Sequence, residues 1–323
     1  MKAIVCTAFG GPEVLAFQEL PDPPPPKAGE IQVRLSARGV QYVDVLMLAG
    51  TYQFRPEPPF IPGSEAAGEV VAVGPGVTGF AEGDRVMSRH SPGSFCTLAN
   101  ARAEACDHVP AAMSLEAASV FRGAYHTAYH ALLQKGRLVA GEWVLIHGAA
   151  GGIGIAAIQI AKLFGARVIA TASTDEKRAA CIEEGADFAI DYHGGFRDRV
   201  KEISGGGVDI VYDPIGAGVF DESMRCLNWG ARLLILGFLG GDPALAKTNH
   251  LLIKGAEAIG VRIGGVNEFQ PALAAANIKA LLQLAADGKL RPRISARFPL
   301  EQAANALQAV IDRKIIGKAV LLG

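Results

Sequence analysis

The stretch "WVLIHGAAGGIGIAAIQIAKLFGA", residues 143–166, constrains this chain more than any other. An apolar run, a glycine-rich turn and a second, helical run follow without a break, which reads as β-strand, tight turn and α-helix. The turn holds Ala149, Ala150, Gly151, Gly152, Ile153 and Gly154, an A-x-G-x-x-G pattern with alanine in the first glycine position. Gly151 lets the backbone approach a pyrophosphate, and Gly154 lets the helix pack close to the strand. The helix N-terminus adds N–H donors and a partial positive charge. A βα turn without a ligand can use the same residues, but a strand before and a helix after are the context a dinucleotide site requires.

The surrounding sequence repeats that rhythm. From Trp143 onward, "WVLIHG", "ARVIATA", "DFAIDY", "VDIVYD", "ARLLILG" and "AEAIGVRI" alternate with helical runs. Strands apolar throughout are buried on both faces, and the alternation predicts a doubly wound α/β domain with a parallel sheet. The first segment differs. It is rich in glycine and proline, with short β-branched runs such as "IQVRLSARGV" and "GEVVAVGPGV", and predicts a mainly β domain on a barrel-like sheet. The tail, with a helix in "PLEQAANALQAVIDRK" and a closing strand in "GKAVLLG", is expected to return to that first domain. The expected division is residues 1–120 completed by 293–323, with residues 121–292 inserted between them.

The end of the second strand of the α/β domain reports on the dinucleotide. An NAD site usually places Asp or Glu there, on the ribose 2′-hydroxyl. Here the strand runs into Ser173 and Thr174, with Lys177 following and Tyr192 at the end of the third strand. Hydroxyls with one cation suit a phosphate monoester and favour NADPH. Asp175 and Glu176 read as the first turn of the next helix, where acids oppose the dipole favourably. Lys177 alone reads equally well as a solvated helix residue.

Composition narrows the partners. Lys plus Arg number 31 against 32 Asp plus Glu, a net charge of −1, which gives no long-range attraction to nucleic acid or anionic membrane. No apolar segment has the length of a membrane span, and "MKAIVCTAFGG" reads as strand and turn, so a cytoplasmic setting is expected. The 5 cysteines are scattered and form no C-x-x-C pair, which argues against a disulfide framework or zinc knuckle.

Phe60–Val77, "FIPGSEAAGEVVAVGPGV", together with "GDRV" (Gly83–Val86), "TAYHAL" (Thr127–Leu132) and the glycine loop, resembles the zinc-independent quinone oxidoreductases, a branch of the medium-chain dehydrogenase/reductase superfamily. The resemblance covers essentially the whole chain. It implies a Rossmann-type sheet inserted in a GroES-like, mainly β catalytic domain. In zinc-using members a metal-binding histidine precedes the glutamate; here Ser64 precedes Glu65. Arg38, Gly39, Val40 and Gln41 stand in the segment that holds a ligand cysteine there, and the four-cysteine structural lobe is missing. A tetrahedral zinc site is therefore not expected. His126 and His130 in "HTAYH" have helical i, i+4 spacing but no evident third ligand. Without a Lewis acid, hydride transfer should favour an acceptor that delocalises charge itself, a quinone or a conjugated enone.

The resemblance also implies roles for single residues. Gln41 stands where relatives often carry asparagine, and Asp44 follows it as a structural hydrogen-bonder. Tyr52 in "AGTY" either donates to a developing oxyanion or lines the pocket. Thr127, Gly237, Phe238, Arg262 and Lys318 are expected along the cofactor. Arg122 meets an anionic substrate group or, preferably, forms an interdomain ion pair. The leading expectation is an NADPH-dependent quinone oxidoreductase. The alternatives are an ene reductase acting on unsaturated ketones or enoyl thioesters, and a nucleotide-binding redox sensor or structural protein with little turnover. An apolar sixth strand at a sheet edge predicts a homodimer.

Overall fold

In the computed structural model, residues 1–90, 92–243 and 245–323 are described. They divide into two compact units, Met1–Arg122 with Arg291–Gly323, and Gly123–Leu290.

In chain order the strands are β1 (Lys2–Cys6), β2 (Leu15–Glu19), β3 (Glu30–Val40), β4 (Glu65–Val73), β5 (Arg85–Arg89), β6 (Leu98–Arg102), β7 (Cys106–His108), β8 (Trp143–Ile146), β9 (Arg167–Thr171), β10 (Phe188–Ile190), β11 (Val208–Asp213), β12 (Leu227–Ile235), β13 (Glu257–Gly260), β14 (Ile294–Pro299) and β15 (Lys318–Leu322). The helices are α1 (Tyr42–Leu48), α2 (Leu115–Ala118), α3 (Arg122–Tyr129), α4 (Gly152–Leu163), α5 (Asp175–Glu183), α6 (Arg197–Ser204), α7 (Ala217–Ser223), α8 (Thr248–Lys254), α9 (Ile263–Phe269), α10 (Pro271–Ala286) and α11 (Ala303–Ile311).

The first unit is built on β14-β15-β3-β4-β5-β7, with β6 also paired to β3 and a separate β1/β2 hairpin-like pair. The early part of β3 alternates, sending Ile31, Val33 and Leu35 into a core with Val70, Val86 and Ala99. Each such aliphatic side chain contributes about 1.5–3 kcal/mol when fully buried. From the tail, β15 pairs antiparallel with β3, Ala319 opposite Val40, and α11 packs against α1 through the cluster of Leu48, Leu300, Leu307 and Leu321.

The second unit carries a parallel sheet in the order β10-β9-β8-β11-β12-β13. Its central strands are apolar throughout because helices cover both faces: all four residues of β8 are buried, and Leu145, Val211 and Leu233 share a core with Phe196 and Phe220. The strand order reverses between β8 and β11, the switch point of a doubly wound fold. The sixth strand lies at the edge, as its sequence implied, but it is shorter than the apolar run: β13 ends at Gly260, and Arg262 is already the N-cap of α9.

All 5 cysteines are buried and free. Among the described residues no helix is long and apolar enough to cross a membrane.

Candidate active site

In the second unit, β8 delivers the chain to His147, Gly148 and the glycine turn, and α4 starts at Gly152 with Gly151 as its N-cap. No side chain caps this end, and its first turn holds no acid. The first-turn N–H groups, around Gly152, Ile153 and Gly154, therefore face a ligand position without a competing carboxylate. Gly151 donates its N–H to the Gly148 carbonyl at 3.0 Å, which tightens the turn. A Cβ on Gly154 would come to 2.6 Å from the Ala149 backbone, so only glycine fits there. The residues present fit the pyrophosphate of a dinucleotide.

Three polar side chains brace the same edge from inside. His147 Nε2 lies 2.8 Å from Ser223 Oγ, and His147 Nδ1 lies 3.0 Å from Thr171 Oγ1. Ser223 gives its own proton to the Val219 carbonyl at 2.7 Å. Its oxygen must therefore accept from His147 Nε2–H, and Thr171 donates to Nδ1. Burial pushes the imidazole down to about 3, so it is the neutral tautomer that ties β8, β9 and α7 together.

At the tip of β9 the sequence-derived residues divide. Ser173 is half-buried beyond the strand end. Thr174 is spent as the N-cap of α5, its hydroxyl accepting from Lys177 N at 3.3 Å. That hydroxyl holds the helix end as an acceptor, and a hydroxyl that accepts can also donate to a phosphate. Lys177 is half-buried in the first turn of α5. Tyr192 follows β10 by two residues, with its ring 4.4 Å from that of His193.

Arg178 at this tip was missed by the sequence reading. It donates to the Ala172 carbonyl at 3.1 Å and pairs with Asp175 at 2.5 Å and Asp191 at 3.4 Å. Only its basic character in the first turns of α5 signalled it.

The other residues expected on the cofactor lie at loop ends of this unit. Gly237 and Phe238 follow β12; Phe238 is exposed and touches the loop at Gly216. Arg262 is exposed and pairs with Glu268 at 3.5 Å. Thr127 on α3 spends its proton on the Gly123 carbonyl, one turn back, at 2.7 Å. His126 and His130 do not form a metal pair. The helix widens into a π-turn over His130–Lys135, His130 Nδ1 bonds to Gln134 Oε1, and Asn277 Nδ2 lies 3.3 Å from His126 Nε2.

The first unit gathers Gln41, Asp44, Ser64, Glu65 and Lys318. Gln41 is the N-cap of α1; its backbone N–H donates to Asp44 Oδ2 at 2.8 Å, and its side-chain Nε2 donates to Glu65 Oε2 at 2.9 Å. Asp44 is wholly buried, and burial is the largest cause raising its carboxyl to about 7. Ser64 accepts the His90 N–H on its carbonyl at 2.8 Å, just before β4 begins. Its hydroxyl lies close enough to Asp44 to draw the carboxyl back down somewhat. Yet Ser64 Oγ and Asp44 Oδ1 are both buried without a hydrogen-bond partner of normal geometry among the described residues. Lys318, at the start of β15, is also buried; desolvation lowers its ammonium while Glu65 and Asp44 hold it up. Its nearest charges are thus carboxylates of its own unit.

Tyr52 lies in the turn after α1, its N–H on the Leu46 carbonyl at 3.2 Å, and 37% of it is exposed. Arg122 corrects the expectation of an interdomain pair: it binds Asp107 and the Ala105 carbonyl inside its own unit. The donors around Ser64 do not fit a catalytic zinc. They include no thiolate or imidazole, and the Gln41 amide is already engaged. Among the described residues no group of three or more His, Cys, Asp or Glu side chains could hold a metal.

Comparison with known proteins agrees with this architecture. Residues 27–140 match the alcohol dehydrogenase GroES-like domain family, and residues 152–277 match the zinc-binding dehydrogenase family. The mouse quinone oxidoreductase-like protein 2 is 35% identical over 99% of this chain and 91% of its own. The Escherichia coli quinone oxidoreductase complexed with NADPH superposes with a TM-score of 0.91 at 30% identity, covering 100% of both chains. A mycobacterial protein complexed with NADPH superposes with a TM-score of 0.92 at 32% identity, again covering 100% of each. With both domain families in order and full-length relatives of this kind, the chain belongs to the medium-chain dehydrogenase/reductase superfamily, in its quinone oxidoreductase branch, and is an oxidoreductase.

Proposed function

We propose that this oxidoreductase is NADPH-dependent and zinc-independent, and that its acceptor is a quinone. The observation that carries the cofactor half is the uncapped, acid-free N-terminus of α4 behind Gly151 and Gly154. There the N–H groups of Gly152, Ile153 and Gly154 hold the pyrophosphate. Ser173, Lys177 and Tyr192 take the 2′-phosphate, while Arg178 adds positive potential at the tip of β9. Thr127, Gly237, Phe238 and Arg262 line the remainder of the cofactor, and Lys318 acts through its carboxylate neighbours. Relatives solved with NADPH support this reading. Bound NADPH supplies the hydride, and the chain's own residues position the acceptor and meet its charge.

The acceptor half rests on what surrounds Ser64. A neutral hydroxyl, an engaged amide and a buried acid offer hydrogen bonds rather than a Lewis acid, which suits an acceptor that spreads negative charge over its own π-system. Gln41 orients Glu65, and Tyr52 is the exposed donor. A conjugated enone, which takes up the charge as an enolate, is the second reading. The enzyme works as a homodimer in the cytoplasm.

The test is direct. NADPH oxidation is followed at the cofactor absorbance with naphthoquinone and with cyclohexenone, before and after exhaustive chelation. Turnover that survives chelation and is faster with naphthoquinone is expected. No turnover with either acceptor, or loss of turnover on chelation, would overturn the proposal.

A further inference from the structure

Resting on the NADPH reading above, we infer that His193 is a proton-gated reader of the cofactor's 2′-phosphate: once protonated it donates to the phosphate, and the chain's preference for NADPH over NADH rises.

The turn after β10 carries the imidazole to the strand end that matters. β10 and β9 pair in parallel, Ile190 beside Thr171, so the chain leaves both strands side by side. Asp191, Tyr192 and His193 thus follow β10 next to Ala172, Ser173 and Thr174, where the ribose of a dinucleotide is read. Arg178 spans the two ends, bonding to the Ala172 carbonyl at 3.1 Å and to Asp191 at 3.4 Å. Tyr192 opens a tight turn that the Gly195 N–H closes on its carbonyl at 3.4 Å. Gly194, third in the turn, has φ 78°, which a type II turn demands of that position. His193 is second, at the outer corner, with 60% of its side chain exposed.

The ring is exposed, yet it is held. Asp191 Oδ1 accepts the His193 backbone N–H at 2.9 Å and lies 2.7 Å from ring Nδ1. The Tyr192 ring lies against the imidazole at 4.4 Å. The same backbone N–H is the first cause holding Asp191 below the usual carboxylate range. An ionised carboxylate only accepts, so Nδ1 carries a hydrogen. That fixes what the other nitrogen offers. In the neutral ring Nε2 is a lone pair, which a phosphate oxygen avoids. In the cation it is a charged N–H donor. Among the described residues Nε2 has no partner. Closing the turn needs only the backbone bond, so the bond to Nδ1 is left to orient the ring.

The charge count gives that donor its purpose. Lys177 and Arg178 on α5 stand against Asp175 and Glu176 on the same helix and Asp191 after β10, so fixed charge leaves no positive surplus for a phosphate. The next elements add none. Arg197 pairs with Asp198 on α6, and Glu222 on α7 accepts the Phe196 and Arg197 N–H groups. Among the described groups at these strand ends, His193 is the one that can gain a positive charge, and imidazole is the side chain that does so between about pH 5 and 8.

Binding of NADP⁺ and NAD⁺, which differ only in the 2′-phosphate, tests the gate. Isothermal titration gives both affinities for the parent, His193→Gln and His193→Lys at about pH 5.5 and about pH 8, either side of the imidazole range. At the lower pH the parent's preference for NADP⁺ should exceed that of His193→Gln by about fivefold, the upper end for an exposed ion pair. At the higher pH the two should agree. The phosphate's own titration is common to both proteins and cancels in that ratio. His193→Lys keeps its charge and should hold the advantage at both pH values. NAD⁺ affinity and the melting temperature should match across the three proteins. A parent-to-glutamine ratio that does not change with pH, or equal losses for NADP⁺ and NAD⁺, would overturn the inference and leave the NADPH reading intact. A parent that prefers NADP⁺ at neither pH would overturn that reading and the inference together.

Discussion

Gly154 lies so close to Ala149 that a side chain on it would come to 2.6 Å from the Ala149 Cα and carbonyl oxygen. The contact is backbone against backbone, so neither side can move away cheaply. Gly154→Ala should push α4 off the end of β8, at a cost on the scale of about 1–3 kcal/mol for overpacking. The first-turn N–H groups should lose their aim with it. Isothermal titration should show weaker binding of NADPH and NADH alike, with a lower melting temperature. Parent-like affinity would mean that the helix N-terminus does not hold the pyrophosphate.

Lys177 should discriminate between the two dinucleotides. It lies one turn into α5, beside Ser173, and carries a charge that a 2′-phosphate can use. Lys177→Ala should weaken NADPH by about 1.5–3 kcal/mol, the scale of a hydrogen bond to a charged group, and leave NADH nearly unchanged. Arg178→Gln should cost less, because Asp175 and Asp191 already neutralise that guanidinium. Equal losses for NADPH and NADH in the lysine variant would show that Lys177 does not read the phosphate.

The sequence carried the β8–turn–α4 unit because all its determinants are local. Four buried apolar residues, a glycine pair and a helical run lie within one continuous stretch. The apolar sixth strand at an edge was legible for the same reason, although its end was not. Val261 and Arg262 continue the apolar and β-like pattern, but Arg262 turns to cap α9. Contacts between distant residues were hidden. Arg122 finds Asp107 across a barrel turn, and Ser64 meets Asp44 because β4 and α1 converge. Thr174 and Thr127 were read by chemistry alone; the fold adds backbone partners, Thr174 Oγ1 accepting from Lys177 N and Thr127 Oγ1 donating to the Gly123 carbonyl. His126 and His130, for which no third ligand was expected, are tied instead into one buried amide network through Gln134 and Asn277.

His147 gives the protein a dependence on acid that can be isolated. Its folded pKa of about 3 lies below the unfolded value of about 6.5. Between those values the unfolded chain holds more protons, so stability is lost as pH falls. The slope from this one group is about 1.4 kcal/mol per pH unit. Asp44, with its raised pKa, works in the opposite sense over about pH 4–7, so the total slope mixes the two. The comparison of parent with His147→Gln removes that ambiguity. Urea midpoints from pH 7 to 4 should fall less steeply in the variant, by the slope of one proton. Parallel curves would show that His147 does not stay neutral in the fold.

The edge strand bears on assembly. The residues of β13 are largely exposed, and nearby Trp229 is 79% and Leu252 is 81% exposed. Trp229 also lies over Gly255, at the end of α8. An open strand edge bordered by large apolar side chains is a pairing surface unless covered. A second copy of the chain, related by a two-fold axis, would cover it isologously. Sedimentation at micromolar protein should give a species of twice 33.7 kDa, and Leu252→Glu should shift it toward the single-chain mass. A parent that sediments at the single-chain mass would reject the dimer.

Tyr52 is the residue whose role most depends on the acceptor. It sits beyond α1, partly exposed, and its phenol makes no hydrogen bond among the described residues. A donor that engages only as charge develops would lower the barrier without tightening the ground state. Tyr52→Phe should then lower kcat and kcat/KM together with KM little changed. A tenfold loss corresponds to about 1.4 kcal/mol. The effect should be larger with cyclohexenone, which concentrates charge on one oxygen, than with naphthoquinone, which spreads it over two oxygens and a ring. A phenylalanine variant that matches the parent on both acceptors would leave Tyr52 as a packing residue and hydride transfer dependent on positioning alone.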